Sequence, residues 1–198
     1  MLKKKNKLSL ILIIFISLIQ NAFSLEPNIF VQSTVNRASQ VLSNDSSKTQ
    51  KIEKLKLIAK DTVDIRGVGF YSLGKYRKEL NDAQKKKYSD LFEKYFLKSF
   101  SSRLAEYSNP KINVNSQEKI NENYTIVSSI LVATEKRPEV KIDWRIYTKN
   151  SEKPLIRDLI IEGLSLARTQ KEEFSSILNS NDNNINALFK TLEEFSKN

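Results

Sequence analysis

Neither cysteine nor histidine occurs in the 198 residues, and much chemistry is lost with them. A Ser-His-Asp triad, a thiol nucleophile, a Cys/His zinc site and His-ligated haem are all excluded. Carboxylate-only catalysis, as in glycosidases, stays open to such a composition, but the usual proton shuttle is missing. No disulfide can brace the chain, so its core alone must hold it. Arginine is scarce beside lysine, 8 against 25, and the basic residues are scattered. Nucleic-acid binders gather arginine and aromatic residues on one face. No such cluster stands in this sequence, so nucleic acid is not an expected partner. The charge suits an ordinary solvated surface first, with a weak attraction to anionic headgroups or to an acidic partner patch as the alternative.

What is present begins at the N-terminus. Lys3, Lys4, Lys5 and Lys7 precede an apolar run of 12 residues, Leu8 to Ile19, and Ala22-Phe23-Ser24 supplies small residues before a cut. That is the order of a secretory signal peptide cleaved after Ser24. The competing reading is an uncleaved anchor. A spanning helix needs about 20 apolar residues, and Gln20-Asn21 ends this run early. Residues 1–24 are therefore assigned to the signal and residues 25–198 to one exported domain. Four lysines leave with the signal, which lowers the formal charge from +10 to +6. The 174 residues left are enough for one domain with a real core.

Helical periodicity fills the first half of this domain. Ile29, Phe30, Val31, Val35, Ala38, Val41 and Leu42 follow Pro27 as an amphipathic segment. Ile52, Leu55, Ile58 and Ala59 mark a second helix beyond a polar turn. Asp64 is placed to cap a third, and Gly74 to end it. Asn81 with Gln84 makes a capping-box variant ahead of Tyr88, Leu91, Phe92, Tyr95, Phe96, Phe100, Leu104 and Tyr107. These recur at steps of three and four, which predicts a bent helix of about 26 residues, roughly 39 Å long. Its aromatic stripe suits plain core or a ligand wall.

From Pro110 the period falls to two. Ile112 and Val114 start a short strand, and Tyr124 to Val132 is apolar on both faces. In the next strand Val140, Ile142, Trp144 and Ile146 face one way and Lys141, Asp143, Arg145 and Tyr147 the other. Leu155 to Ile161 makes a fourth. Thr169–Leu178 and Ile185–Phe195 return to helix. Helices, an antiparallel meander and more helices predict an α+β domain with a four-stranded curved sheet.

Two stretches carry a family resemblance. One runs from Val63-Asp64-Ile65 to Leu73-Gly74-Lys75-Tyr76-Arg77, with Gln84 and the aromatic helix beyond it. The other is Ile156-Arg157-Asp158-Leu159-Ile160-Ile161-Glu162-Gly163-Leu164-Ser165-Leu166, with Phe174 downstream. Together with Arg137-Pro138-Glu139-Val140, they resemble the MlaC family of periplasmic phospholipid-binding proteins, also called toluene-tolerance auxiliary proteins. Pro154 and Tyr76 stand where that family often has tryptophan, and Lys171 where it usually has arginine. On their own physics, Gly163 permits a positive φ and Ser165 and Asp64 are helix caps.

The resemblance implies an apolar cavity between curved sheet and helices, and a monomeric periplasmic carrier with no cofactor, no metal and no enzymatic activity. Its implied cargo is phospholipid, passed between an outer-membrane lipoprotein complex and an inner-membrane ABC lipid transporter, which bears on outer-membrane lipid asymmetry. A related subgroup implies hopanoid instead, and a ligand-free periplasmic adaptor or chaperone with a solid core is the rival of another class. Candidate lipid-binding walls are Val140, Ile142 and Trp144, with Ile126, Ile130, Ile160, Leu164 and Leu166 around them. Tyr95, Phe96 and Phe100 would close the cavity from the long helix.

Overall fold

The change of period at Pro110 separates two layers in the computed structural model, which describes residues 24–135 and 137–197. The expected signal peptide, up to its last residue, lies outside the described residues. Most of the helices begin where the sequence supplies a partner for the free amides of a first turn. Helix α1 (Pro27–Ser43) opens on a proline, which has no N–H to leave unpaired. Reciprocal capping boxes start α2 (Lys48–Thr62), from Ser47 and Gln50, and α4 (Asp82–Leu104), from Asn81 and Gln84. The Asp64 carboxylate accepts from the Gly67 amide at 2.8 Å to begin α3 (Ile65–Ser72). At Gly74 the chain passes into a 3-10 turn instead of simply ending the helix. Helix α4 is 23 residues long, shorter than its aromatic spacing predicts. Beyond Leu104 the bonds tighten to three-residue steps, with Tyr107 N donating to Leu104 O at 3.0 Å.

The sheet runs β1 (Ile112–Asn121), β2 (Tyr124–Leu131), β3 (Val140–Tyr147), β4 (Leu155–Ile161), β5 (Leu164–Ser165), with every neighbouring pair antiparallel. The expected four strands become five because Glu162-Gly163 turns the chain back onto Ile160 and Ile161. Gly163 takes φ +82 there, a conformation that a side chain would strain. Helix α5 (Leu166–Asn179) starts at Ser165, whose Oγ accepts from the Arg168 amide, three residues ahead of its expected start. Helix α6 (Ile185–Lys197) follows.

Helix α4 is the centre of the helical layer. A Cβ on Gly69 would stand 2.7 Å from the Phe92 ring, so this glycine sets how closely α3 approaches α4. In the same contact the Tyr88 hydroxyl donates to Gly69 O at 2.9 Å. Burial pushes the Tyr88 phenol well up, which keeps it a neutral donor. Phe174 of α5 meets Phe92 edge-on at 6.1 Å.

The two family-like stretches clamp the layers together. Arg157 donates from Nε and Nη2 to Asp64 Oδ2 at 2.7 and 2.6 Å, and from Nη1 to the Tyr124 hydroxyl at 2.7 Å. Its guanidinium lies 3.7 Å from the centroid of Tyr147. Next to it, the Asp158 side chain is only 2 % exposed and accepts from Ser165 Oγ at 2.6 Å and Ala167 N at 3.0 Å. Asp158→Ala would strand both donors at the start of α5. The expected cost is about 2–3 kcal/mol, read from urea denaturation. A loss near zero would show that the carboxylate does not anchor α5.

Candidate functional site

Inner and outer faces of the sheet are set by register. Val127 lies opposite Trp144, Ser129 opposite Ile142 and Leu131 opposite Val140. The Trp144 indole donates to Ser129 Oγ at 2.8 Å, and that hydroxyl donates to Ile142 O at 3.1 Å. A polar ring edge is thereby satisfied inside an otherwise apolar layer. In β4 the pairing runs Trp144 to Leu159, Arg145 to Asp158, then Ile146 to Ile156. Arg157 is thus an extra residue, and the strand changes faces across it.

Between this inner face and the helices lies a cavity of about 370 Å³, within the roughly 300–1,000 Å³ of ligand sites. Helices α1 and α2 wall one side through residues such as Val35, Ala38, Leu55 and Ala59. The C-terminal half of α4 contributes Phe96, Ser99 and Phe100, and α5 contributes Leu166, Ala167 and Gln170. The floor is Leu131, Ile142, Trp144, Ile156, Leu159 and Ile161. Thr34 and Thr62 also line it, but each donates its hydroxyl to its own helix, to Phe30 O at 2.9 Å and Ile58 O at 2.8 Å. They therefore offer a ligand no free donor proton. Four wall residues are exposed, namely Arg103, Tyr107, Leu166 and Glu173, and they mark the mouth.

The aromatic stripe of α4 serves two purposes along its length. Tyr88, wholly in the packed core, stacks at 5.7 Å on Phe92, which also lines the cavity, while Phe96 and Phe100 stack at 5.4 Å on the cavity wall. Tyr95 bridges the two environments and donates to Gln170 Oε1 at 2.9 Å. Burial is the main cause raising its phenol, and Glu173 adds to it. The arrangement can hold an apolar chain and leave a polar end outside. Among the described residues no group of His, Cys, Asp or Glu is placed to bind a metal.

The family model described as "MlaC protein" matches residues 32–194. The chain belongs to the MlaC family. Its fold is also similar to that of the phospholipid-binding protein from Ralstonia solanacearum, solved in complex with a phospholipid. The TM-score is 0.74 at 16 % identity, covering 87 % of this chain and 98 % of that one.

Of the residues that the sequence singles out in this MlaC-family chain, six stand on the cavity wall: Ile142, Trp144, Tyr95, Phe96, Phe100 and Leu166. The other five do not. Ile126 and Ile130 lie opposite Arg145 and Lys141 on the outer face, because β2 is apolar on both sides and its less apolar side turns inward. Ile160 is carried outward by the extra residue at Arg157, which brings Leu159 and Ile161 in. Val140 is on the inner face but packs against core beyond the cavity. Leu164 is 59 % exposed and is not part of the wall. Sequence reasoning missed the α1 and α2 walls, whose stripes look the same whether they meet a core or a void.

Proposed function

We propose that residues 25–198, freed of a signal peptide cleaved after Ser24, carry phospholipid through the periplasm without covalent chemistry. The observation that carries this reading is the apolar cavity between sheet and helices, with exposed residues on part of its wall. The phospholipid-bound relative of the same fold supports it. Each buried methylene contributes about 0.8 kcal/mol, so a chain of about 16 carbons resists leaving a membrane by something near 12 kcal/mol. Only an enclosed apolar space offsets that. Ile142, Trp144, Phe96, Phe100, Tyr95 and Leu166 would contact the acyl chain, and the headgroup would sit outside. An inner-membrane ABC lipid transporter complex and an outer-membrane lipoprotein complex are the two partners between which it would pass lipid, in either direction.

The test is mass spectrometry of the protein purified from periplasm. The intact mass should match a chain starting at Leu25, and an organic extract should contain about one phospholipid per chain. A hopanoid in its place would reassign the cargo. An extract with no lipid would favour a ligand-free adaptor over a carrier, and full-length protein found only in the membrane pellet would identify an anchor.

A further inference from the structure

The mouth of the cavity carries separated charges of both signs. Arg103, in the last turn of α4, and Glu173, on α5, are both exposed members of the wall. They do not neutralise each other. Among the described residues neither takes part in an ion pair, although eleven such pairs occur elsewhere. Both are nevertheless close enough to the Tyr95 hydroxyl to act on it, Glu173 pushing its phenol up and Arg103 pulling it down.

The carboxylate is also held in place. Tyr95 donates to Gln170 Oε1 at 2.9 Å, which leaves the Gln170 amide nitrogen to donate to Glu173 Oε2 at 2.9 Å. Phe195 packs on Tyr95 with ring centroids 4.8 Å apart and backs this chain of bonds. Glu173 is thus oriented from the cavity wall, and its second oxygen has no hydrogen-bond partner among the described residues. On the Arg103 side the charge is reinforced. Tyr107, four residues on, has the Arg137 guanidinium 5.0 Å from its ring centroid, and the Nε of Arg137 is buried without a hydrogen-bond partner.

We propose that this mouth selects a zwitterionic headgroup, with Arg103 taking the phosphate and Glu173 the terminal ammonium, as in phosphatidylethanolamine. The inference rests on the carrier reading and adds a headgroup preference to it. A guanidinium fork matches phosphate oxygens, and an oriented carboxylate matches a primary ammonium. An anionic headgroup such as glycerol phosphate would satisfy Arg103 but leave Glu173 facing net negative charge.

The test uses the full mature protein loaded from vesicles of equal phosphatidylethanolamine and phosphatidylglycerol, with the bound lipids quantified by native mass spectrometry. The pair is solvent-exposed, so the expected enrichment of phosphatidylethanolamine is roughly threefold to fivefold. Glu173→Lys should invert the ratio in favour of phosphatidylglycerol. The exchange Arg103→Glu with Glu173→Arg should restore the original preference, since it regenerates the charge pair in mirror order. A merely structural role for these side chains would produce neither the inversion nor the rescue. Protein that loads both lipids in the vesicle ratio, or a Glu173→Lys variant with an unchanged ratio, overturns the headgroup inference and leaves the carrier standing. Protein that takes up no lipid at all overturns both.

Discussion

Ala38→Phe on α1, or Ser99→Phe on α4, is expected to leave the protein folded and largely empty of lipid. Both residues line the cavity and both are half-buried. In a filled core an inserted ring forces neighbours off their rotamers, at about 1–3 kcal/mol. In a void the same ring gains apolar burial at about 25 cal/mol per Å², so the delipidated variant should melt at or above the delipidated wild type. The comparison must be made without lipid, because a bound ligand raises the apparent stability of the wild type by mass action. Each methylene displaced forfeits about 0.8 kcal/mol, so excluding two already lowers affinity more than tenfold. Bound lipid per chain is the first readout and thermal melting the second. A drop of several degrees with lipid content intact would mean that the space is ordinary core and that the cargo sits elsewhere.

Local chemistry made most of the fold legible from sequence. Capping at Asp64, Asn81 and Ser165 is a matter of neighbouring residues, and the structure contains all three caps. Strand β3 alternates strictly between apolar and polar residues, and its faces follow from that pattern alone. The misplacements occur where one face is decided by a partner instead of by the strand itself. β2 presents two apolar faces, and only pairing of Val127 with Trp144 chooses between them. β4 contains one residue too many for simple alternation, and a single extra residue reverses every side chain beyond it. Its cause is visible in hindsight. Arg157 is held out by Asp64 and Tyr124, contacts that join residues 93 and 33 positions apart. The walls from α1 and α2 were hidden for another reason, since Leu55 and Ala59 are about 1 % exposed and read as core. A cavity is a property of spacing between layers, which no single periodicity encodes.

Strand β3 offers the sharpest test of where core ends and cavity begins, because two isoleucines on the same face should respond in opposite ways. Ile146 is fully buried between Thr125 and Ile156 and does not line the cavity. A carboxylate there has no route to water, and its cost of several kcal/mol approaches the whole stability of a domain, about 5–15 kcal/mol. Ile146→Glu should therefore fail to accumulate or should melt far below the wild type. Burial raises the pKa of such a glutamate in the folded state, so the folded form binds its proton more tightly than the unfolded chain. Stability should then partly return as the pH falls through that raised value and vanish as it rises. Ile142, four residues earlier, is nearly as buried but lines the cavity. There the carboxylate can hydrate through the mouth, so Ile142→Glu should melt within a few degrees of the delipidated wild type, with little dependence on acid. It should carry almost no lipid, because a charged group now occupies the apolar floor. Equal destabilisation of the two variants would place Ile142 in solid core and remove the cavity as a binding site. Full lipid content in Ile142→Glu would show that the acyl chain does not reach the sheet.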